Sequence, residues 1–314
     1  MTNKKLTHVE DKNMKRLCGV NPPVITIFDK DKKIDFAALK KHADFLIEKG
    51  VDGLAYLGTS GEFSIMNMEE KKMLIKEMTA YVDHRVNVLI GVGDTCLEHT
   101  LELVKVSEEA GANGVLLVNP YFSVYSSDMV EAYYGYVASQ TTLPIIIYNF
   151  PDLTGFGFDV EMVARLAETY PNIVGIKDTT ADFSHVVSML SIKKLKPEFS
   201  VFAAYENQAM GLLPLGIDGF INATVNFAPE FTVNAFQAAK ENDFNEAAKW
   251  FGKMVDAMEI YSFSTPLFLA CKQAVYDRVL KQDGFERLPA LPLKEGAKYG
   301  IYEKLEEMGL LPNL

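Results

Sequence analysis

Cysteine is scarce in this chain of 314 residues: Cys18, Cys96 and Cys271 are odd in number and far apart. No CxxC pair occurs, so neither a disulfide framework nor a zinc site is indicated, and the three read as small apolar residues. Long apolar runs are absent as well. None approaches the roughly 18 residues that a membrane-spanning helix requires, so no membrane association is expected. The opening stretch MTNKKLTHVEDKNMKR is polar and has no apolar centre. It does not read as a signal peptide, and a cytoplasmic protein is the expectation. Positive charge is in deficit: 31 basic against 42 acidic side chains leave a net charge of −11, with no basic tail or stripe. Such a surface repels nucleic acid and anionic lipid. It still permits a small anionic substrate, which a few local cations and backbone N–H groups can hold.

Several chemical signatures are missing too. Gly91-Val92-Gly93 lacks the third glycine and the acidic ribose partner of a dinucleotide fingerprint. No GxSxG elbow occurs. The histidines His8, His42, His84, His99 and His185 are scattered without metal-ligand spacing, which argues against a zinc-dependent aldolase. The expectation is therefore an enzyme or binding protein with no cofactor and no metal.

What is present is a rhythm of short apolar runs and amphipathic stretches. The runs are Val24 to Phe28, Gly53 to Leu57, Val86 to Ile90, Gly114 to Val118, Pro144 to Tyr148, Ile173 to Ile176, Phe199 to Ala203 and Gly219 to Ile221. They are too short for helices and too continuously apolar for half-exposed strands, so they read as parallel strands buried on both faces. Between them, stretches such as Phe36 to Lys49 place apolar residues at helical spacing. Gly50 and Gly111 sit where helix C-caps are expected. KGVDGL, AGANGV and LGIDGF repeat one helix-to-strand joint three times. Eight strand–helix alternations predict a (β/α)8 TIM barrel, with a doubly wound open sheet as the alternative. The segments predicted are a polar N-terminal stretch 1–17, a barrel over 18–242, and a C-terminal helical extension over 243–314 packed on the barrel.

Function in a barrel gathers at the C-terminal ends of the strands. Those ends carry Gly58-Thr59-Ser60-Gly61-Glu62, Asn119-Pro120-Tyr121, Tyr148-Asn149, Lys177-Asp178 and Asn222. Lys177 follows Ile173-Val174-Gly175-Ile176, so its amine should emerge from an apolar wall. Desolvation there disfavours the charged ammonium and frees an amine that can attack a carbonyl. The plainer reading pairs Lys177 with Asp178 or turns it to solvent. A phenol at Tyr148 can relay protons during imine formation and carbon–carbon cleavage, or simply bond backbone as a buried strand-end tyrosine. The loop from Gly58, with the Thr59 and Ser60 hydroxyls, can hold a carboxylate, or be only a turn before a helix, with Glu62 bonding its amides.

Gly58-Thr59-Ser60-Gly61-Glu62-Phe63, Tyr148-Asn149-Phe150-Pro151 and Gly175-Ile176-Lys177-Asp178, in this order, resemble the dihydrodipicolinate synthase / N-acetylneuraminate lyase family over nearly the whole chain. The resemblance implies a class I Schiff-base enzyme on a (β/α)8 barrel, commonly a homotetramer, acting on a small 2-keto acid such as pyruvate. It implies Lys177 as the imine-forming lysine, Tyr148 as the proton relay, and Thr59 and Ser60 as carboxylate binders, with Gly58 and Asn222 added at the rim as substrate-binding candidates. YNFPDLTG, GIKDT and NFAP look most like the 2-keto-3-deoxy-sugar-acid aldolase branch, whose members give pyruvate and an aldehyde. Two positions depart from the family pattern. Leu153 stands where the synthase carries an arginine for its second substrate, and Phe122 where a second relay tyrosine is usual. The synthase, a sialic-acid-type lyase, a keto-acid dehydratase and a non-catalytic keto-acid-binding protein are the alternatives.

Overall fold

The computed structural model describes residues 16–311, so most of the N-terminal stretch 1–17 lies outside the described residues. Eight parallel strands form one sheet: β1 (Gly19–Val20), β2 (Gly53–Tyr56), β3 (Asn87–Gly91), β4 (Gly114–Val118), β5 (Ile145–Asn149), β6 (Ile173–Asp178), β7 (Ser200–Ala203) and β8 (Gly219–Phe220). Their order runs β1-β8-β7-β6-β5-β4-β3-β2. The ring closes between its ends, where Asp52 N–H donates to Val20 O (2.9 Å) and Val24 N–H to Ala55 O (2.8 Å). The expected TIM barrel is the fold observed.

The first strand differs from the sequence expectation. Gly19–Val20, not Val24 to Phe28, pairs in the sheet; Pro23, just before that run, makes an isolated bridge to Ala55, and within it only Phe28 makes one, to Ile34. Pro22 and Pro23 have no N–H to give a ladder, so the chain leaves regular pairing there although Val24 to Phe28 stay buried.

Helices cover the outside of the ring: α1 (Phe36–Glu48), α2 (Met68–Val82), α3 (Leu97–Ala110), α4 (Ser127–Ser139), the short α5 (Pro151–Thr154), α6 (Val160–Thr169), α7 (Phe183–Met189), α8 (Ala209–Leu212) and α9 (Pro229–Lys240). Side-chain caps start several of them. Asp35, Asn67, Ser126, Asp159 and Asp182 each accept a backbone N–H of the first turn. The chain continues into α10 (Phe244–Ala257), α11 (Phe268–Val275) and α12 (Glu295–Glu307). Met254, Cys271, Ile301 and Leu305 of these helices belong to the same apolar core as the barrel helices. Among the described residues, no helix is long and apolar enough to cross a membrane.

Inside the ring a second, smaller core is built from Leu17, Ala55, Leu89, Leu116, Ile146, Phe202 and Ile221. It plugs the barrel and leaves its C-terminal mouth as the place where a small molecule can enter. Which residues face that mouth is set by register. Ile147 pairs with Ile176, and both face the outer core; Tyr148 pairs with Lys177, and Lys177 with the inward-facing Phe202. A register shift where Ile145–Ile146 meets Ile173–Gly175 resets the alternation of β6. Without that irregularity, the two-residue period counted from Val174 would turn Lys177 toward the helices.

Candidate active site

Three strand ends meet at the mouth. Lys177 is only 3% exposed at the end of β6, and its Nζ lies 4.0 Å from the centroid of the Tyr148 ring. The Tyr148 hydroxyl in turn lies 3.1 Å from Thr59 Oγ1, in the loop after β2. Ser60 is buried beside Thr59. The structure thus links Lys177, Tyr148 and Thr59 in one line of contacts: an amine against a phenol ring whose hydroxyl meets a second hydroxyl in the turn after β2.

That turn is built under steric constraint. Leu57 and Glu62, on either side of it, both adopt left-handed backbone (φ 57° each), a conformation uncommon for non-glycine residues. Within it Gly61 N–H donates to Gly58 O and Glu62 N–H to Thr59 O, each at 3.0 Å. Thr26 Oγ1 donates to Gly61 O at 2.7 Å from below. The Leu57 carbonyl comes so close to Gly91 that a Cβ there would sit 2.1 Å from it. This gives the Gly91-Val92-Gly93 sequence a packing role.

A cavity of about 240 Å³ opens over Tyr148, and Thr59, Phe63, Tyr121, Leu153 and Thr154 contribute to its wall. No lysine or arginine is among its lining residues. Tyr121 packs edge-on against Phe63, and burial holds its phenol above the usual range, so it stays protonated. Phe122 takes no part in the cavity. It is 99% exposed, on left-handed backbone with φ 77°. Leu153 lies at the cavity rim and is largely exposed.

Other rim residues turn away from the mouth. Asp178 is fully buried, and its two oxygens accept from Asn149 Nδ2 (2.7 Å) and pair with His185 Nδ1 (2.7 Å) on α7. Asn149 Oδ1 also accepts from Phe158 N–H (3.3 Å), and His185 Nε2 reaches Phe158 O (2.7 Å). Hydrogen bonding to Asp178 raises the imidazole to about 9, so His185 carries charge and donates from both nitrogens at neutral pH. Asn222 Nδ2 donates to the hydroxyls of Thr224 (3.3 Å) and Thr232 (3.4 Å), which directs it toward α9 and away from Lys177. Asn119 is buried, and its amide bonds Pro120 O.

Sequence reasoning passed over two neighbours of the site. In the sequence His185 is one of several scattered histidines, although its placement one helix after Lys177-Asp178 is a usable signal. Lys272, a single lysine in the apolar string LACKQAV, is fully buried. It bonds Glu62 Oε1 at 2.8 Å and Glu286 Oε2 at 2.7 Å, so Glu62 answers to the C-terminal segment rather than to the amides of its own loop. Among the described residues, no three His, Cys, Asp or Glu side chains are gathered as a metal site would need.

Residues 16–308 match the model of the dihydrodipicolinate synthetase family. The chain is 40% identical over 300 residues to the probable 2-dehydro-3-deoxy-D-pentonate aldolase YjhH of Escherichia coli, covering 95% of this chain and 100% of that one. It is 37% identical over 293 residues to the putative 2-dehydro-3-deoxy-D-gluconate aldolase YagE of the same organism, covering 93% and 97%. The crystal structure of YagE in complex with pyruvate superposes with a TM-score of 0.91 over 93% of this chain and 99% of that one. At 31% identity over 293 residues the chain also resembles 4-hydroxy-tetrahydrodipicolinate synthase of Methanocaldococcus jannaschii, covering 93% and 99%.

Proposed function

The chain belongs to the dihydrodipicolinate synthetase family, and from that membership and the geometry of its mouth we propose that it is a class I aldolase. It cleaves a 2-keto-3-deoxy sugar acid to pyruvate and an aldehyde. The observation that carries this reading is the buried Lys177 amine over the Tyr148 ring, with the Tyr148 hydroxyl bonded to Thr59.

The chemistry follows from what each group can do. The Lys177 amine adds to the C2 carbonyl, and loss of water leaves an iminium. That cation accepts the electron pair of the C3–C4 bond as it breaks, while Tyr148 removes the proton of the C4 hydroxyl and the aldehyde departs. The resulting enamine takes a proton at C3, and water releases pyruvate from the lysine. Thr59, Ser60 and the amides of the Gly58–Gly61 turn hold the carboxylate, placing C2 against the amine. A cavity with hydroxyls at Thr59, Tyr121 and Thr154 and no cation in its wall suits an uncharged polyhydroxy aldehyde. Exposed Leu153 offers nothing to a second carboxylate, which disfavours the synthase reaction.

We assign the chain to a cytoplasmic homotetramer on the family resemblance. Exposed Phe122, Val124 and Met129 around the β4–α4 connection supply apolar surface of the kind that interfaces bury.

Pyruvate with borohydride should fix an irreversible adduct on Lys177, read as a mass shift of the peptide that contains it. A panel of 2-keto-3-deoxy sugar acids should then release pyruvate, and Lys177→Ala should abolish both. An unmodified lysine would end this reading. Trapping without turnover of any substrate would instead favour the keto-acid-binding protein suggested by Phe122.

A further inference from the structure

Resting on the reading above, we propose that Lys272, on α11 of the C-terminal segment, is a positioning residue for the turn that receives the keto acid's carboxylate. Lys272 sits on a helix that is buried nearly all round, with Leu269, Ala270, Cys271, Ala274 and Val275 buried beside it. An ammonium in such surroundings is kept only with compensating partners. It has two carboxylates, Glu62 and Glu286, and the Phe28 ring, whose centroid is 4.8 Å from Nζ. Stability alone does not call for this arrangement, because well-packed apolar residues often replace a buried ion pair without loss. What the pair supplies is a fixed place for Glu62.

Glu62 is the exit residue of the turn, held in left-handed backbone. Its N–H donates to the Thr59 carbonyl, and the Thr59 hydroxyl lies 3.1 Å from that of Tyr148. A movement of Glu62 therefore passes through three residues to the hydroxyl that faces the substrate. Arg287, from the same C-terminal segment, adds a second hold. It bonds both oxygens of Glu70 (2.8 and 3.0 Å), and its guanidinium lies 4.3 Å from the centroid of the same Phe28 ring. The C-terminal segment thereby grips the 62–70 stretch at both ends, and its contribution to catalysis runs through Lys272.

The test uses the full chain and reads two quantities: the pyruvate concentration that half-saturates borohydride trapping at Lys177, and the melting temperature. Lys272→Met keeps the volume and removes the charge. Lys196→Met is the control for lost stability, since Lys196 bonds the carbonyls of Ala167, Pro171 and Ile173 at the opposite end of the barrel. Lys272→Met should need on the order of tenfold more pyruvate, the scale of a sub-ångström misplacement at a reacting group. Lys196→Met should lose melting temperature and keep the wild-type half-saturation. An unchanged half-saturation in Lys272→Met, or an equal rise in both variants, overturns the positioning role while leaving the aldolase reading intact. Absence of trapping in the wild type overturns both. Should Lys272→Met not fold, Glu62→Gln, which retains the Lys272–Glu286 pair, carries the same test: a rise of roughly threefold or more is expected, and no rise refutes the proposal.

Discussion

Removing the charge of His185 perturbs the anchor directly behind Lys177, and the structure sets the size of the effect. The imidazole is held at about 9 instead of the usual 6.5, chiefly by its hydrogen bond to the fully buried Asp178 and also by the Phe158 carbonyl, against the cost of its own burial. A folded-state value above the unfolded one means that the native protein binds the proton more tightly. The stabilisation is therefore complete below pH 6.5, declines as pH rises, and is gone above about pH 9. At full strength that shift is worth about 3 kcal/mol. A quarter of the side chain still faces water, and solvent screening reduces the expected figure to about 1–2 kcal/mol.

His185→Gln should therefore be less stable than the wild type by that amount at about pH 6, and the gap should close on the way to about pH 9.5. Calorimetry across this range reads it as a difference in melting temperature of a few degrees that disappears with rising pH. Groups that titrate in both proteins cancel in the difference, so the comparison isolates this histidine. A gap of constant size would show that the proton on His185 does not hold Asp178, and the account of the anchor would fail.

Three further outcomes test the site and the core. Tyr148→Phe keeps the ring beside the Lys177 amine but removes the hydroxyl that meets Thr59; cleavage should slow by about 10²–10⁴-fold while pyruvate trapping persists, and an unchanged kcat would remove Tyr148 from the relay. Leu153→Arg, at an exposed rim position, should change stability by less than about 0.5 kcal/mol. It should also raise condensation of pyruvate with carboxylate-bearing aldehydes relative to neutral ones, as measured by product analysis. Phe202→Ala empties the inner core opposite Lys177 and should cost about 3–5 kcal/mol, seen as a lowered urea midpoint; a smaller loss would mean that the barrel centre collapses around the gap.

The strands were legible because a parallel sheet covered on both faces writes itself as short apolar runs, and seven of the eight runs lie within a residue or two of a strand. The first run misled for a local reason: apolarity at Val24 to Phe28 reports burial, whereas pairing needs the N–H groups that Pro22 and Pro23 lack. Direction around a strand was less legible than position along it. Asp178 and Asn222 both stand at strand ends, and sequence gives no way to tell that their side chains bond His185 and two threonines on the helix side. Lys177 faces inward only because of the register shift near Gly175, where a Cβ would meet the Ser200 carbonyl at 2.6 Å. Long-range partners were out of reach altogether, as with Glu62 and Lys272, which stand 210 positions apart.

The two strand ends that carry Tyr148 and Lys177 share a design that explains why their signatures are dipeptides. In Tyr148-Asn149 and Lys177-Asp178 the first residue faces the mouth and the second faces the helices, as the two-residue period of a strand requires. The outward pair bonds to itself through Asn149 and Asp178, and then to His185 and Phe158 on the elements that follow. The inward pair inherits that rigidity: β5 and β6 are fixed against each other one residue beyond the place where the amine meets the ring. A change at Asn149 or Asp178 should therefore act on catalysis without touching substrate, through the angle at which Lys177 and Tyr148 face each other. The matching tie on the third side of the mouth comes from Lys272, outside the barrel strands. The site is thus a joint product of strand alternation, which aims two of its groups, and of the C-terminal helices, which hold the turn carrying Thr59.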